Sequence, residues 1–197
     1  MKSIAVIGLD RFGYTLAVTL SQLGHQVLCI DENEKAIQSV ADQVTNAVCA
    51  NTTNEAALRA AGIKSFDSAV ICISDSMERS LLTVLAVKDA GINAVTVRAM
   101  SDDHKKILEK LGFVDIIYPE YDMATKLAYR INKSKIREYL EFSNDYSIIE
   151  IAVPEKWVGK TLRSLDVRNT YGINVIAISH PSSHSVDISI NPNNPLS

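Results

Sequence analysis

Ile4-Ala5-Val6-Ile7-Gly8-Leu9-Asp10-Arg11-Phe12-Gly13 sets four apolar residues ahead of a glycine and closes on a second glycine. This is the pattern of a buried strand entering the glycine turn G-x-G-x-x-G. In that turn the first glycine makes the bend, the second admits a pyrophosphate close to the backbone, and the third lets helix pack on strand. Here Gly8 and Gly13 stand, and the middle position is Asp10. A carboxylate at that point crowds and repels a diphosphate over a helix N-terminus that otherwise attracts anions. The turn therefore announces the fold and questions the ligand.

Working outward, β-rich runs alternate with helical periods. Strands are expected at Ile4–Ile7, Gln26–Ile30, Ala47–Cys49, Ser68–Ile73, Val95–Arg98 and Val114–Tyr118. Helices are expected over Phe12–Leu23, Glu34–Ala41, Asn54–Ala61, Met77–Ala90, Asp102–Leu111 and Tyr121–Ile136. Strands separated by helices build an α/β, Rossmann-like, doubly wound parallel sheet. Gly24, Gly62, Gly91 and Gly112 each follow a helical stretch, as C-terminal stops do. Thr52-x-x-Glu55 reads as a capping box for the third helix.

The alternation breaks near Leu140–Tyr146, dividing a domain over 1–140 from a smaller α+β domain over 145–197. The latter reads as strand Ile148–Val153, a short helix near Leu162–Leu165, and strands Val175–Ser179 and Val186–Ile190. A unit of about 55 residues is marginal alone, and the chain stops in Asn191-Pro192-Asn193-Asn194-Pro195-Leu196-Ser197. That ending resembles a strand-to-strand loop, so the second domain is expected to be truncated.

With 197 residues, 47% apolar content and a formal charge of -3, the chain supports a packed core and offers no basic field for nucleic acid. No apolar run approaches the roughly 18 residues of a membrane span, and the start leads directly into a strand, so a cytoplasmic address is expected. Cys29, Cys49 and Cys72 lack C-x-x-C spacing and are expected as buried free thiols.

Asp31 closes the second strand at the spacing, about 20 residues after the turn, of an acid that accepts ribose hydroxyls. As a lone residue it would simply cap the next loop. Asn51 and Thr52 after the third strand, and Ser74 and Asp75 after the fourth, fall on the carboxyl edge of the sheet, where ligands of such folds bind; helix capping explains them equally. Arg11 faces a phosphate, a neighbouring subunit or Asp10. Asp10 either caps the helix in place of a ligand's phosphate, shares a divalent cation with phosphates, or leaves room for a single phosphate further out. The candidate binding set is Gly8, Asp10, Arg11, Phe12, Gly13, Asp31, Asn51, Thr52 and Ser74, for an adenine nucleotide such as ATP, ADP or NAD. His25, His104, His180 and His184 are scattered, read as surface residues, and form no nucleophile-and-base spacing; no enzyme activity is expected.

Further stretches are Leu108-Glu109-Lys110-Leu111-Gly112, Tyr118-Pro119-Glu120-Tyr121-Asp122-Met123-Ala124, Tyr146-Ser147-Ile148-Ile149-Glu150-Ile151, Gly159-Lys160-Thr161-Leu162, Leu165-Asp166-Val167-Arg168 and Tyr171-Gly172-Ile173-Asn174-Val175-Ile176-Ala177-Ile178. With the glycine turn and Asp31, they resemble, along nearly the whole chain, the cytosolic regulator-of-potassium-conductance (RCK or KTN) proteins of bacterial Ktr and Trk potassium transporters. The resemblance implies a ligand-sensing gating subunit, peripheral to the membrane, whose homodimers assemble into a ring beneath a channel or transporter. It implies that Arg11 reaches phosphate, Asp31 holds ribose, Glu120 helps bind a divalent cation, and the helix from Tyr121 pairs subunits. It also implies that the small second domain corresponds to one that binds a cyclic dinucleotide in some members. Members usually carry glycine at the position of Asp10 and commonly at that of Ser74, which implies an altered or lost response to ATP. Two other readings compete: a small NAD-dependent oxidoreductase, and a nucleotide-blind assembly scaffold. Fold alone does not separate them.

Overall fold

The computed structural model describes residues 1–113, 115–132, 136–143, 146–180, 185–188 and 190–196. It divides into two compact units, Met1–Met123 and Ala124–Ser197.

The first unit alternates β1 (Ser3–Ile7), α1 (Arg11–Gln22), β2 (Gln26–Asp31), α2 (Glu34–Val40), β3 (Asn46–Cys49), α3 (Glu55–Ala60), β4 (Ser68–Ile71), α4 (Met77–Asp89), β5 (Val95–Arg98), α5 (Asp102–Lys110) and β6 (Ile116–Ile117), with α6 (Pro119–Asn132) following. The strands form one parallel sheet in the order β3-β2-β1-β4-β5-β6. The order reverses between β1 and β4, which makes their carboxyl ends the crevice of a doubly wound sheet.

Successive side chains of β1 enter opposite faces, as the period of a strand requires. Ala5 and Ile7 join Leu28, Ile30, Leu58, Ile71 and Val84 on one face. Ile4 and Val6 join Ala17, Val27, Cys29, Ile37 and Cys72 on the other. Burial on both faces explains why these strands read as unbroken apolar runs. Each fully buried Leu or Ile contributes about 1.5–3 kcal/mol relative to exposure.

Two local expectations are corrected. Asn54, rather than Thr52, caps α3, its side chain accepting from the Ala57 amide at 3.1 Å; an asparagine one residue before Glu55 displaces the capping box. The helix expected to reach Ile136 ends at Asn132, and β7 (Ile136–Ser143) pairs antiparallel with β8 (Tyr146–Ile151), Leu140 opposite Ile148. A hairpin partner immediately downstream supplies the backbone bonds that place Ile136 at the start of a strand instead of the end of the helix.

The second unit continues with α7 (Leu162–Leu165), α8 (Val167–Tyr171), β9 (Ile178–His180) and β10 (Ser185–Asp187), the last two antiparallel. β9 begins three residues later than the strand expected at Val175. Thr161 and Ser164 form a reciprocal capping box at α7. Trp157, Leu162, Val167 and Leu196 make a small core. No helix among the described residues is long and apolar enough to cross a membrane.

Candidate functional site

At the end of β1 the chain turns through Gly8, whose φ is 92°, a region that disfavours a side chain; a Cβ there would also lie 3.0 Å from the Ile73 amide nitrogen. A Cβ on Gly13 would lie 2.0 Å from the Gly8 carbonyl oxygen. The two glycines therefore bring the first turn of α1 directly against the strand end. Asp31 secures this bend from β2: its Oδ2 accepts from the Leu9 amide at 2.6 Å and its Oδ1 from the Asn33 amide at 2.7 Å. One carboxylate thus ties the glycine turn to the loop after β2, and each of its oxygens retains capacity for a second donor.

Asp10 adopts φ −64° and ψ −176°, an extended conformation open to any residue, and is the N-cap of α1. Its Oδ1 accepts from the Gly13 amide at 3.0 Å. Its Oδ2 accepts from the Ser74 hydroxyl at 2.7 Å and from Arg98 Nη1 at 2.5 Å. Arg98, the last residue of β5, donates through Nη2 to Glu120 in the first turn of α6. Its guanidinium carbon lies 5.0 Å from the centroid of the Phe12 ring, within cation–π range. Arg98 is 8% exposed, and its Nε has no hydrogen-bond partner among the described residues.

The ends of β1, β4, β5 and β6 therefore converge on one charged group. Burial works to raise the Asp10 carboxyl pKa, but the Gly13 amide, the Ser74 hydroxyl and Arg98 outweigh it and hold it below 3.8. Burial likewise works against the charge on Arg98, and its bonds to Glu120 and Asp10 more than offset that.

Of the sequence candidates, Gly8, Asp10, Phe12, Gly13, Asp31 and Ser74 gather around the turn. Arg11 is exposed and does not pair with Asp10; the arginine that does is Arg98. Asn51 folds its Oδ1 back onto Thr53. Thr52 is 1% exposed and accepts from the Thr83 hydroxyl of α4 at 3.1 Å, while its amide donates to Glu32. Ser74 is not the cap of α4; Ser76 is. Asp75 pairs with Arg79 at 2.8 Å.

Two other expectations are revised. Cys29 and Cys72 are buried, and burial pushes both thiols up to about 12, but Cys49 on edge strand β3 is exposed. His104 is fully buried rather than superficial, its Nδ1 accepting from the Met100 amide at 3.3 Å. His184 lies outside the described residues.

Residues 4–119, the whole sheet with its glycine turn, match the TrkA-N domain family. The chain belongs to the TrkA-N domain family. Among relatives of this TrkA-N chain, the Ktr system potassium uptake protein C of Bacillus subtilis is 38% identical over 177 residues, covering 90% of this chain and 80% of that protein. The Ktr system potassium uptake protein A of Vibrio alginolyticus is 32% identical over 175 residues, covering 89% and 80%. The resemblance read from the motifs is thereby borne out. Among solved structures, the GsuK channel bound to NAD superimposes with a TM-score of 0.65 at 15% identity, over 94% of this chain and 34% of that one, a likeness of fold alone. The Shewanella denitrificans Kef C-terminal domain in its AMP-bound form gives a TM-score of 0.55 at 27% identity, over 64% and 76%.

Proposed function

We propose that this chain is the cytosolic regulatory subunit of a Ktr-type potassium uptake system, gating a membrane-embedded partner in response to an adenine nucleotide. The observation that carries the reading is the 38% identity to a Ktr system potassium uptake protein across most of both chains. The geometry supports it: β1 and β2 deliver the Asp31 carboxylate beside the glycine turn, where ribose hydroxyls of an adenine nucleotide find an oriented acceptor. The domain limits of the reading, 1–140 and 145–197, assign α6 to the first domain, and homodimers joined in a ring transmit the ligand's effect to the membrane partner. A ligand gates only by binding one conformation better than another, and a coupling of about 1–3 kcal/mol is usual.

Glu120 is the proposed ligand for a divalent cation. Such an ion competes with Arg98 for the same carboxylate, so magnesium belongs in the test. An oxidoreductase is not favoured: the relatives carry names of potassium uptake proteins.

The experiment is the thermal unfolding midpoint of the full chain with AMP, ADP, ATP, NAD and NADH, each with and without magnesium. A ligand at about 100 times its dissociation constant adds about 2.7 kcal/mol. A selective rise supports the nucleotide sensor; no rise with any of them favours a nucleotide-blind regulator. Potassium uptake by cells lacking their own peripheral subunit, with and without this chain beside the membrane subunit, tests the gating role; equal uptake in both overturns it.

A further inference from the structure

We infer that Asp10 is a specificity-determining residue, a built-in anion that turns the site away from diphosphates and toward an adenine nucleoside carrying at most one phosphate. The inference rests on the nucleotide reading above and sharpens it.

The first-turn amides of a helix facing the carboxyl edge of a doubly wound sheet are where a phosphate docks. In this chain the Gly13 amide donates to Asp10 Oδ1 instead. The hydroxyl of Ser74 and the guanidinium of Arg98, the groups beside it suited to a phosphate, both donate to Asp10 Oδ2. The chain thus supplies its own anion to three donors that an incoming phosphate would need.

The carboxylate is not free to swing aside. Arg98 is 8% exposed, lies over the Phe12 ring, and already has an unpartnered Nε. Moving Asp10 away would leave that buried cation with Glu120 as its one counter-charge among the described residues, an arrangement that burial penalises. If Asp10 stays, a diphosphate faces two carboxylates, Asp10 and Glu120, whose shared cation Arg98 is already engaged by both, which leaves the exposed Arg11 of the turn for a single phosphate. At the ribose end nothing comparable intervenes, because the Asp31 carboxylate accepts from backbone amides and keeps acceptor capacity. The acceptor that reads ribose keeps capacity, while the donors that read phosphate at Gly13, Ser74 and Arg98 already hold a carboxylate.

The test is calorimetric titration of the full chain, and of the variants Asp10→Gly and Asp10→Asn, with adenosine, AMP, ADP and ATP. The native chain is expected to bind adenosine and AMP at least about tenfold more tightly than ADP and ATP, and Asp10→Gly is expected to reverse that order. Asp10→Asn keeps the shape and the capping oxygen but drops the charge, so its ratio falls between the two, and it decides the matter if Asp10→Gly does not fold. The inference is overturned if the native chain binds ADP or ATP as tightly as adenosine, or if the folded variants leave the ratio unchanged. If neither the native chain nor a folded variant binds any of the four, the nucleotide reading itself fails and takes this inference with it.

Discussion

Asp10 and Arg98 stand 88 residues apart in the chain and 2.5 Å apart in the structure, oxygen Oδ2 against nitrogen Nη1. Arg98 also holds Glu120, so one buried cation organises two acids that lead into different helices. Arg98→Ala should therefore destabilise the fold. Loss of one partner from a fully buried pair costs about 3–5 kcal/mol, and the 31% and 57% exposure of the two acid side chains brings the expected loss to about 1–3 kcal/mol. Urea unfolding of the variant checks this. A loss within error of zero would show that the cluster contributes nothing net to stability.

Gly13→Ala is expected to be far more severe than Gly24→Ala. The first places a Cβ 2.0 Å from a backbone oxygen, whereas the second meets open space and bears only the strain of its φ of 84°. An expected loss of at least about 3 kcal/mol at Gly13 against about 1 kcal/mol at Gly24 separates steric contact from backbone conformation. Equal losses would mean that α1 shifts readily away from β1.

Stability should fall with pH in two steps. Burial holds the His104 imidazole below its ordinary 6.5, so the unfolded chain takes up a proton there before the native one does. Stability then declines as pH drops below 6.5. The Asp10 carboxyl, held below 3.8 in the native state, contributes fully above 3.8 and loses that contribution as pH falls through its native value. Unfolding curves across this range should lose the first step in His104→Gln and show a smaller second step in Asp10→Asn, the remainder belonging to Asp67, whose carboxyl the Ser3 amide and hydroxyl also hold down. A first step retained in His104→Gln, or a second step undiminished in Asp10→Asn, would assign that step to another group.

Alkylation should distinguish the three thiols. Cys49 is exposed, whereas Cys29 and Cys72 are buried with thiols pushed up to about 12, and the thiolate is the reacting species. Mass spectrometry after brief treatment of the native chain should find one adduct, at Cys49, and three after denaturation. Prompt native labelling of Cys72 would show that the glycine turn opens, since this residue packs beneath Gly13.

What could be read in advance divides along the range of the interactions. Apolar runs and glycine stops are local, and they placed all six strands of the large sheet. Asp10 as a cap was equally local, since its partner Gly13 is three residues away. Arg98 was invisible as a site residue because its partners come from the glycine turn before α1 and from α6; the available signal was an arginine ending the strand Val95-Thr96-Val97, on the same edge as Asp31. His104 reads as superficial in the polar opening of α5, and only packing against the rest of the unit buries it. The strand Ile136–Ser143, where only the end of a helix and a domain boundary were read, was hidden for a related reason, because its antiparallel pairing with β8 is what defines it.

Because Asp10 sits at φ −64° and ψ −176°, position 10 makes no demand that only glycine can meet, unlike Gly8 and Gly13 on either side. A residue there can be exchanged while the bend and the helix contact persist. The glycine codons GGT and GGC become the aspartate codons GAT and GAC by one nucleotide change. Proteins of this architecture can therefore gain or lose an ionised group at the heart of the glycine turn in a single mutational step, without rebuilding the bend that surrounds it.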